Sequence, residues 1–189
     1  MAPLGDPHRI ARQFRKSDAT VLLLLRRDIL NLQISLYYTV TVLPALGETH
    51  HGHVQFAVID MTPDERADYL ERLRGRRFHV DPDCFAAQIE EFVDGKSAFL
   101  EWRAAFVAAG VPTARIVYED FLRDKQGFLM AFAQRIGLDW HPDMADSHSP
   151  KVNREDMRGQ VENIAEIEAA PRIVALLARW DEFCRAMGA

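Results

Sequence analysis

Apolar positions along the chain follow two patterns. Residues 20–25 (TVLLLL) form a continuous apolar run without alternation, which is typical of a strand buried on both faces of a parallel sheet. Residues 115–118 (RIVY), which follow the helix breaker Val111-Pro112, indicate a second buried strand. Elsewhere apolar residues recur every three or four positions, which predicts helices. Helices that separate apolar strands indicate an α/β fold with a parallel sheet flanked by helices.

Several start and stop signals position the helices. Thr62 to Glu65 (TPDE) combine an N-cap, a first-turn proline and a capping box, which predicts a helix over 63–74. Asp81-Pro82 opens a longer helix, whose apolar stripe predicts the main cover of the sheet: Phe85, Ile89, Phe92, Phe99, Trp102 and Phe106. Further helices are predicted over 8–16, after Asp28, over 125–136 before a Gly137 C-cap, after Asn153 and from Pro171. Residues 43–60 are irregular, with an edge strand over 54–59.

The composition is that of one soluble domain over residues 1–189. The 48% of hydrophobic residues supply a sizeable core and exclude a mainly unfolded chain. No apolar run approaches the ~18 to 20 residues of a membrane span, and residues 1–16 lack a secretory signal, so we expect a cytoplasmic protein. Cys84 and Cys184 fit reduced core residues rather than a disulfide framework or a zinc site.

Charge is distributed unevenly around the net value of −5. Residues 1–41 carry six Arg or Lys against three Asp or Glu, whereas residues 42–189 carry 17 against 25. A concentrated basic patch on an acidic protein fits a small polyanion better than a nucleic acid, which requires a broader basic face. A solvated helix face is an equal alternative.

Polar residues that suit an anion follow the first strand. Arg26 and Arg27 stand at its end, just before a helix N-terminus, whose free N–H groups and dipole favour negative charge. Ser35 lies about two helical turns further on. These three residues could bind a phosphate at the carboxyl end of a strand, where open α/β sheets hold their ligands. The alternative is two surface arginines and an ordinary helix serine.

The segment LLLLRRDILNLQIS resembles the motif by which sulfotransferases hold the 3′-phosphate of 3′-phosphoadenosine 5′-phosphosulfate (PAPS). It is most similar to the bacterial branch of the nodulation and trehalose sulfotransferases. Arg27 and Ser35 match this motif position for position, so the resemblance implies that both bind the 3′-phosphate. It also implies a P-loop-like parallel sheet.

Two later segments add to the resemblance. RIVYEDFLRDKQGFLMAFAQRIGL is similar to the family's late strand, which implies that Tyr118 contacts the cofactor near its adenine and that Glu119 and Asp120 tie the strand to neighbouring backbone. SPKVN, followed by VENIAEI, is similar to a late basic loop over the cofactor phosphates, where Lys151 and Arg154 would serve. A packing tyrosine and a solvated loop are the alternatives.

One feature of the family is missing from the sequence. Sulfotransferases open with a strand and a Pro-Arg-Ser-Gly-Thr type loop that binds the 5′-phosphosulfate, and this chain has neither, which indicates a truncated, mis-started or degenerate homologue. No general base is assigned, because a solvated loop is the better interpretation of the only tempting cluster, which comprises Glu48, His50, His51 and His53. No metal site is predicted. The missing strand predicts an exposed sheet edge or apolar face, and hence association into a homo-oligomer.

Two functions follow as expectations. The first is PAPS-dependent transfer of a sulfuryl group to the hydroxyl of a small-molecule or carbohydrate acceptor, impaired in the chain as given. The second is a non-catalytic remnant or partner subunit that retains a weak nucleotide site. The sequence identifies no acceptor.

Overall fold

Two strands connect distant parts of the sequence. The computed structural model describes residues 6–17, 19–47, 61–145 and 156–188. Within these ranges, β1 (Val21–Leu25) and β2 (Thr113–Val117) form a parallel two-stranded sheet. Helices make up 71% of the described residues, so the chain is helix-rich with a small parallel sheet, consistent with the predicted α/β class.

The helices follow the predicted order. They are α1 (Pro7–Lys16), α2 (Ile29–Tyr37), α3 (Leu43–Ala45), α4 (Pro63–Gly75), α5 (Pro82–Ala108), α6 (Tyr118–Arg123), α7 (Lys125–Arg135), α8 (Ile164–Ala169) and α9 (Pro171–Ala186), with a π-helical turn at Tyr38–Val42 and 3-10 turns at Pro142–Ala145 and Arg158–Gln160. None of the helices in the described ranges combines the length and the apolar character that crossing a membrane requires.

The chain divides into two compact units, which are described in turn. The first unit contains the described residues of 1–27, 91–146 and 179–189, and the second contains those of 28–90 and 147–178. The sheet belongs to the first unit. Most of the long-range hydrogen bonds from side-chain amides belong to the second.

The burial of β1 differs from the prediction. Leu23 and Leu25 are buried against Met187 and Phe183, but Leu22 and Leu24 are 44% and 66% exposed. The expectation of a strand covered on both faces is therefore wrong. Successive side chains of a strand point to opposite faces, and the described part of the chain covers only one face of β1.

The amino-terminal helix packs within the first unit. Ala11 of α1 forms a small core with Ala105, Phe106 and Val111. Arg15 donates from Nη1 to the Ala109 carbonyl at 2.8 Å, at the turn after α5. The helix predicted over residues 8–16 is confirmed, and it is anchored by both apolar and polar contacts.

In the second unit, side-chain amides hold the backbone. The Gln160 Nε2 group donates to the carbonyls of Leu73, Arg74 and Arg76 at 3.2, 2.7 and 3.0 Å, at the end of α4. The Asn163 side chain pairs with the Val80 backbone through two hydrogen bonds of 3.0 and 2.9 Å. These side-chain amides supply hydrogen bonds to backbone groups that have no partner in a helix or strand.

The helix signals in the second unit are confirmed. Thr62 and Glu65 form the reciprocal capping box, with the Thr62 N–H donating to Glu65 Oε2 at 2.9 Å and the Glu65 N–H to Thr62 Oγ1 at 3.4 Å. The helix α4 then runs over Pro63–Gly75, close to the predicted bounds. Local capping chemistry is sufficient to locate this helix start.

Other expectations fare less well. The apolar stripe of α5 is buried unevenly: Phe85, Ile89 and Phe106 are buried, Phe92 and Trp102 are half-buried, and Phe99 is exposed. Cys184 is buried and Cys84 is exposed, so the prediction of two core cysteines is wrong for Cys84, which lies on the outer side of the first turn of α5. The predicted edge strand over 54–59 lies outside the described residues.

Candidate functional site

The parallel register brings the two predicted motif segments together at the carboxyl ends of β1 and β2. Leu25 pairs with Val117, so Arg26 and Tyr118 follow at the carboxyl ends of adjacent strands. Because the carboxyl ends of parallel strands lie at the same end of a sheet, residues 92 positions apart in sequence become neighbours. We call Arg26, Arg27, Tyr118, Glu119 and Asp120 the strand-end cluster; all five lie in the first unit.

Arg26 covers the ring of Tyr118. The guanidinium carbon lies 4.4 Å from the ring centroid, a cation–π contact. The Trp180 indole N–H donates to the Arg26 carbonyl at 2.9 Å and fixes the backbone at the end of β1. The Arg26 Nε is buried and has no hydrogen-bond partner among the described residues. Arg26 therefore covers one face of the Tyr118 ring, and its Nε is a buried donor without a partner among the described residues.

Arg27 is tied to the next two cluster residues. Its backbone N–H donates to Glu119 Oε2 at 3.0 Å, and its Nη2 lies 3.3 and 3.2 Å from the two Asp120 carboxylate oxygens. The prediction that these carboxylates tie the strand to neighbouring backbone is confirmed for Glu119. It is wrong for Asp120, which pairs with the Arg27 side chain, because α6 begins at Tyr118 and turns the next residues back towards β1.

The N-terminus of α2 already carries a carboxylate. Asp28 Oδ1 accepts the Asn31 N–H at 3.0 Å, as an N-cap does. Within the same unit, Arg158 binds Asp28 through two hydrogen bonds, from Nη2 to Oδ1 at 2.7 Å and from Nη1 to Oδ2 at 2.9 Å. These bonds raise the pKa of Arg158, so that it stays cationic. An anion predicted at this helix terminus would compete with Asp28.

The remaining predicted residues lie elsewhere. Ser35 lies on α2 in the second unit, half-buried, and its carbonyl accepts a hydrogen bond from Thr39 Oγ1 at 2.8 Å. Lys151, Arg154 and the acidic and histidine cluster over 48–53 lie outside the described residues. The structure thus brings Arg27 and Tyr118 into one cluster and puts Ser35 in the other unit.

The Cys184 thiol, which lies near Arg27 and Glu119 of the strand-end cluster, is not an activated nucleophile. Burial raises the pKa of the Cys184 thiol, and the carboxylates of Asp181 and Glu119 raise it further. A protonated thiol is a poor nucleophile at neutral pH. Within the described ranges, no three His, Cys, Asp or Glu side chains lie close enough together to hold a metal ion. What the cluster can do is bind an anion through its guanidinium groups.

Sequence reasoning missed two contacts, the stacking of Arg26 on Tyr118 in the first unit and the Asp28–Arg158 pair in the second. The second joins residues 130 positions apart, and no local pattern signals it. The chain matches no family model, no curated protein and no solved structure. The interpretation of the cluster therefore depends on its own chemistry and on the motif resemblance.

Proposed function

We propose that the chain is a sulfotransferase-like protein that binds PAPS at the strand-end cluster. In this proposal Arg27 binds the 3′-phosphate and Tyr118 lies beside the adenine. For Ser35 and Lys151, the motif resemblance alone implies a role in binding. The observation that carries the proposal is the Leu25–Val117 register, which brings the two motif segments to the carboxyl ends of adjacent strands. Open α/β sheets bind their ligands at such ends.

The cluster has the groups that a nucleotide phosphate requires, but its charges balance. Arg26 and Arg27 contribute two positive charges, and Glu119 and Asp120 contribute two negative ones. To bind phosphate, Arg27 must exchange Asp120 for a phosphate oxygen. Exposed ion pairs are worth about 0 to 1 kcal/mol, whereas a hydrogen bond to a charged group contributes roughly 1.5 to 3 kcal/mol. Losing the exposed Asp120 pair therefore costs at most about 1 kcal/mol.

The proposed reaction is transfer of the PAPS sulfuryl group to the hydroxyl of a small-molecule or carbohydrate acceptor. Arg27 anchors the donor at a point remote from the transferred group. That contact is equally strong in the ground and transition states, so it cannot lower the chemical barrier. Rate depends on donors aimed at the developing charge, and the sequence given contains no Ser-Gly-Thr loop to supply them. Turnover by the 189-residue chain is expected to be low.

The charge balance favours a second candidate, a non-catalytic subunit with a weak nucleotide site. The Arg27 guanidinium is already bound to Asp120, and the nearby Cys184 thiol is held protonated. A site with these properties is suited to reversible binding rather than to chemistry. The two candidates share the nucleotide site and differ in turnover.

Calorimetry with adenosine 3′,5′-bisphosphate tests the shared site. Arg27→Ala should weaken binding at least about tenfold, because it removes a charge-assisted hydrogen bond to phosphate. Arg179→Ala is the matched control, since Arg179 is a half-exposed arginine of the same unit that pairs with Asp94. Equal affinities of the parent protein and Arg27→Ala would contradict the proposal.

A transfer assay separates the two candidates. The purified chain is incubated with radiolabelled PAPS and a broad panel of hydroxyl acceptors. Slow but measurable transfer, for which Arg27→Ala raises the KM for PAPS, supports the impaired enzyme. Nucleotide binding without transfer supports the non-catalytic subunit. Turnover at the rate of an intact enzyme would overturn the expectation that donors to the sulfuryl group are lacking.

A further inference from the structure

The outer edge of β1 has no partner strand within the described ranges. Among the described residues, β1 pairs with β2 alone, and the Val21 N–H donates to the Pro112 carbonyl at 2.9 Å. In a strand the N–H and C=O of one residue point to the same side, and the side alternates along the chain. Val21, Leu23 and Leu25 therefore direct these groups to β2. Leu22 and Leu24 direct theirs to the open edge.

An apolar groove runs along the same edge. It has a volume of about 230 Å³ and lies between β1 and the second half of α5, lined by Val21, Leu22, Leu23, Gly95, Ala98, Phe99, Trp102 and Phe106. The small residues Gly95 and Ala98 keep it open, and a Cβ atom added at Gly95 would meet nothing within 4 Å. Unpaired backbone groups beside an apolar groove are what an added strand requires.

We propose that a second copy of this chain occupies this edge, with the two β1 strands antiparallel about a two-fold axis at Leu23. In that register Leu22 lies opposite Leu24 of the second copy, and such a pair exchanges two backbone hydrogen bonds. The symmetric pair, Leu24 with Leu22 of the second copy, exchanges two more backbone hydrogen bonds. All the free N–H and C=O groups of Leu22 and Leu24 in both copies are then bonded, so the edge is complementary to itself.

Side chains and charges agree with this register. Leu23 lies opposite Leu23 of the second copy on the face that the groove occupies, so each leucine extends the apolar lining of the other chain. Leu22 and Leu24 meet on the other face, where they are now exposed. Arg26 comes opposite Thr20 of the second copy, so within residues 20–26 no like charges face each other across the pair.

Light scattering and sedimentation of the full chain test the proposal. The parent protein should have the mass of a dimer, and Leu24→Lys should have the mass of a monomer, because a charge at a strand edge opposes pairing. Leu138→Lys is the matched control, as Leu138 is an exposed leucine outside β1 and should leave the dimer intact. Circular dichroism is the check that both variants are folded. A monomeric parent protein, or a dimeric Leu24→Lys variant, overturns the proposal.

A cross-link tests the register without depending on a charged variant. In a Cys84→Ser background, Leu23→Cys should form a disulfide-linked dimer under mild oxidation, since the Cα atoms of such an antiparallel pair lie about 4.5 Å apart. Leu22→Cys should not, because each Leu22 faces Leu24. Amides of Leu22 and Leu24 should also exchange hydrogen slowly, and faster on dilution. Cross-linking through Leu22 instead of Leu23, or no protection of these amides, contradicts the register.

Discussion

Arg27 and Asp28 are neighbours in sequence, yet they enter two different arginine–aspartate pairs. In the first unit, Arg27 reaches Asp120 through one guanidinium nitrogen at 3.2 Å, and the side chains are 46% and 38% exposed. In the second unit, Arg158 holds Asp28 through two nitrogens at 2.7 and 2.9 Å, and the side chains are 30% and 34% exposed. The first pair is open to exchange, and the second is a fixed part of the fold.

The difference shows what distinguishes a candidate binding group from a structural one. Asp28 has a second task, since it also caps α2, and Arg158 also contacts Asp156 and Glu168. When one partner of such a forked, several-partner charge is removed, the protein loses much of the stabilisation that its hydrogen bonds contribute. Arg27 has one side-chain partner in the described chain and can trade it for a ligand at little cost.

The largest expected effect is on stability. Arg158→Ala should lower the free energy of unfolding by about 2 to 3 kcal/mol, because it removes a forked hydrogen bond to a charged group. Arg27→Ala should lower it by less than about 1 kcal/mol, as expected for an exposed pair. Urea unfolding of the two variants measures both values. Equal losses of unfolding free energy in the two variants would show that the two pairs do not differ in strength.

A smaller effect is expected on nucleotide affinity. Asp120→Asn should strengthen binding of adenosine 3′,5′-bisphosphate by up to about fivefold, since it removes a competitor worth at most about 1 kcal/mol. Asp94→Asn, which removes the partner of Arg179, is the control and should change nothing. Weaker binding by Asp120→Asn would show that Asp120 helps the site rather than competing in it.

The smallest effect concerns pH and another helix cap, the exposed Thr62–Glu65 capping box. Hydrogen bonds from the Thr62 hydroxyl and N–H lower the pKa of Glu65. The stabilisation is therefore complete above the unfolded pKa of about 4.3 and is lost as the pH falls through the lower folded value. Thermal unfolding should find Glu65→Gln less stable than the parent protein at neutral pH and equal to it in strong acid. A difference that persists in acid would mean that the charge is irrelevant.

Local signals predict much of the fold. The apolar runs locate both strands, and the capping box locates α4, because strand propensity and capping depend on neighbouring residues. The covered face of β1 was not predictable, since it depends on Met187, more than 160 positions away. The meeting of Arg27 with the Tyr118 segment was predictable only through the resemblance. The sequence around Asp28 and the sequence around Arg158 contain no pattern that predicts their pairing.

The pairing of Leu25 with Val117 also has a consequence for biosynthesis. At a translation rate of about 5 to 20 residues per second, β1 waits roughly 5 to 20 seconds before β2 is made. During that time five consecutive apolar residues have no partner strand. Cations flank them on both sides, Arg15 and Lys16 before the run and Arg26 and Arg27 after it. Such residues act as gatekeepers against aggregation, so the same arginines that are candidates for binding a nucleotide also protect the nascent chain.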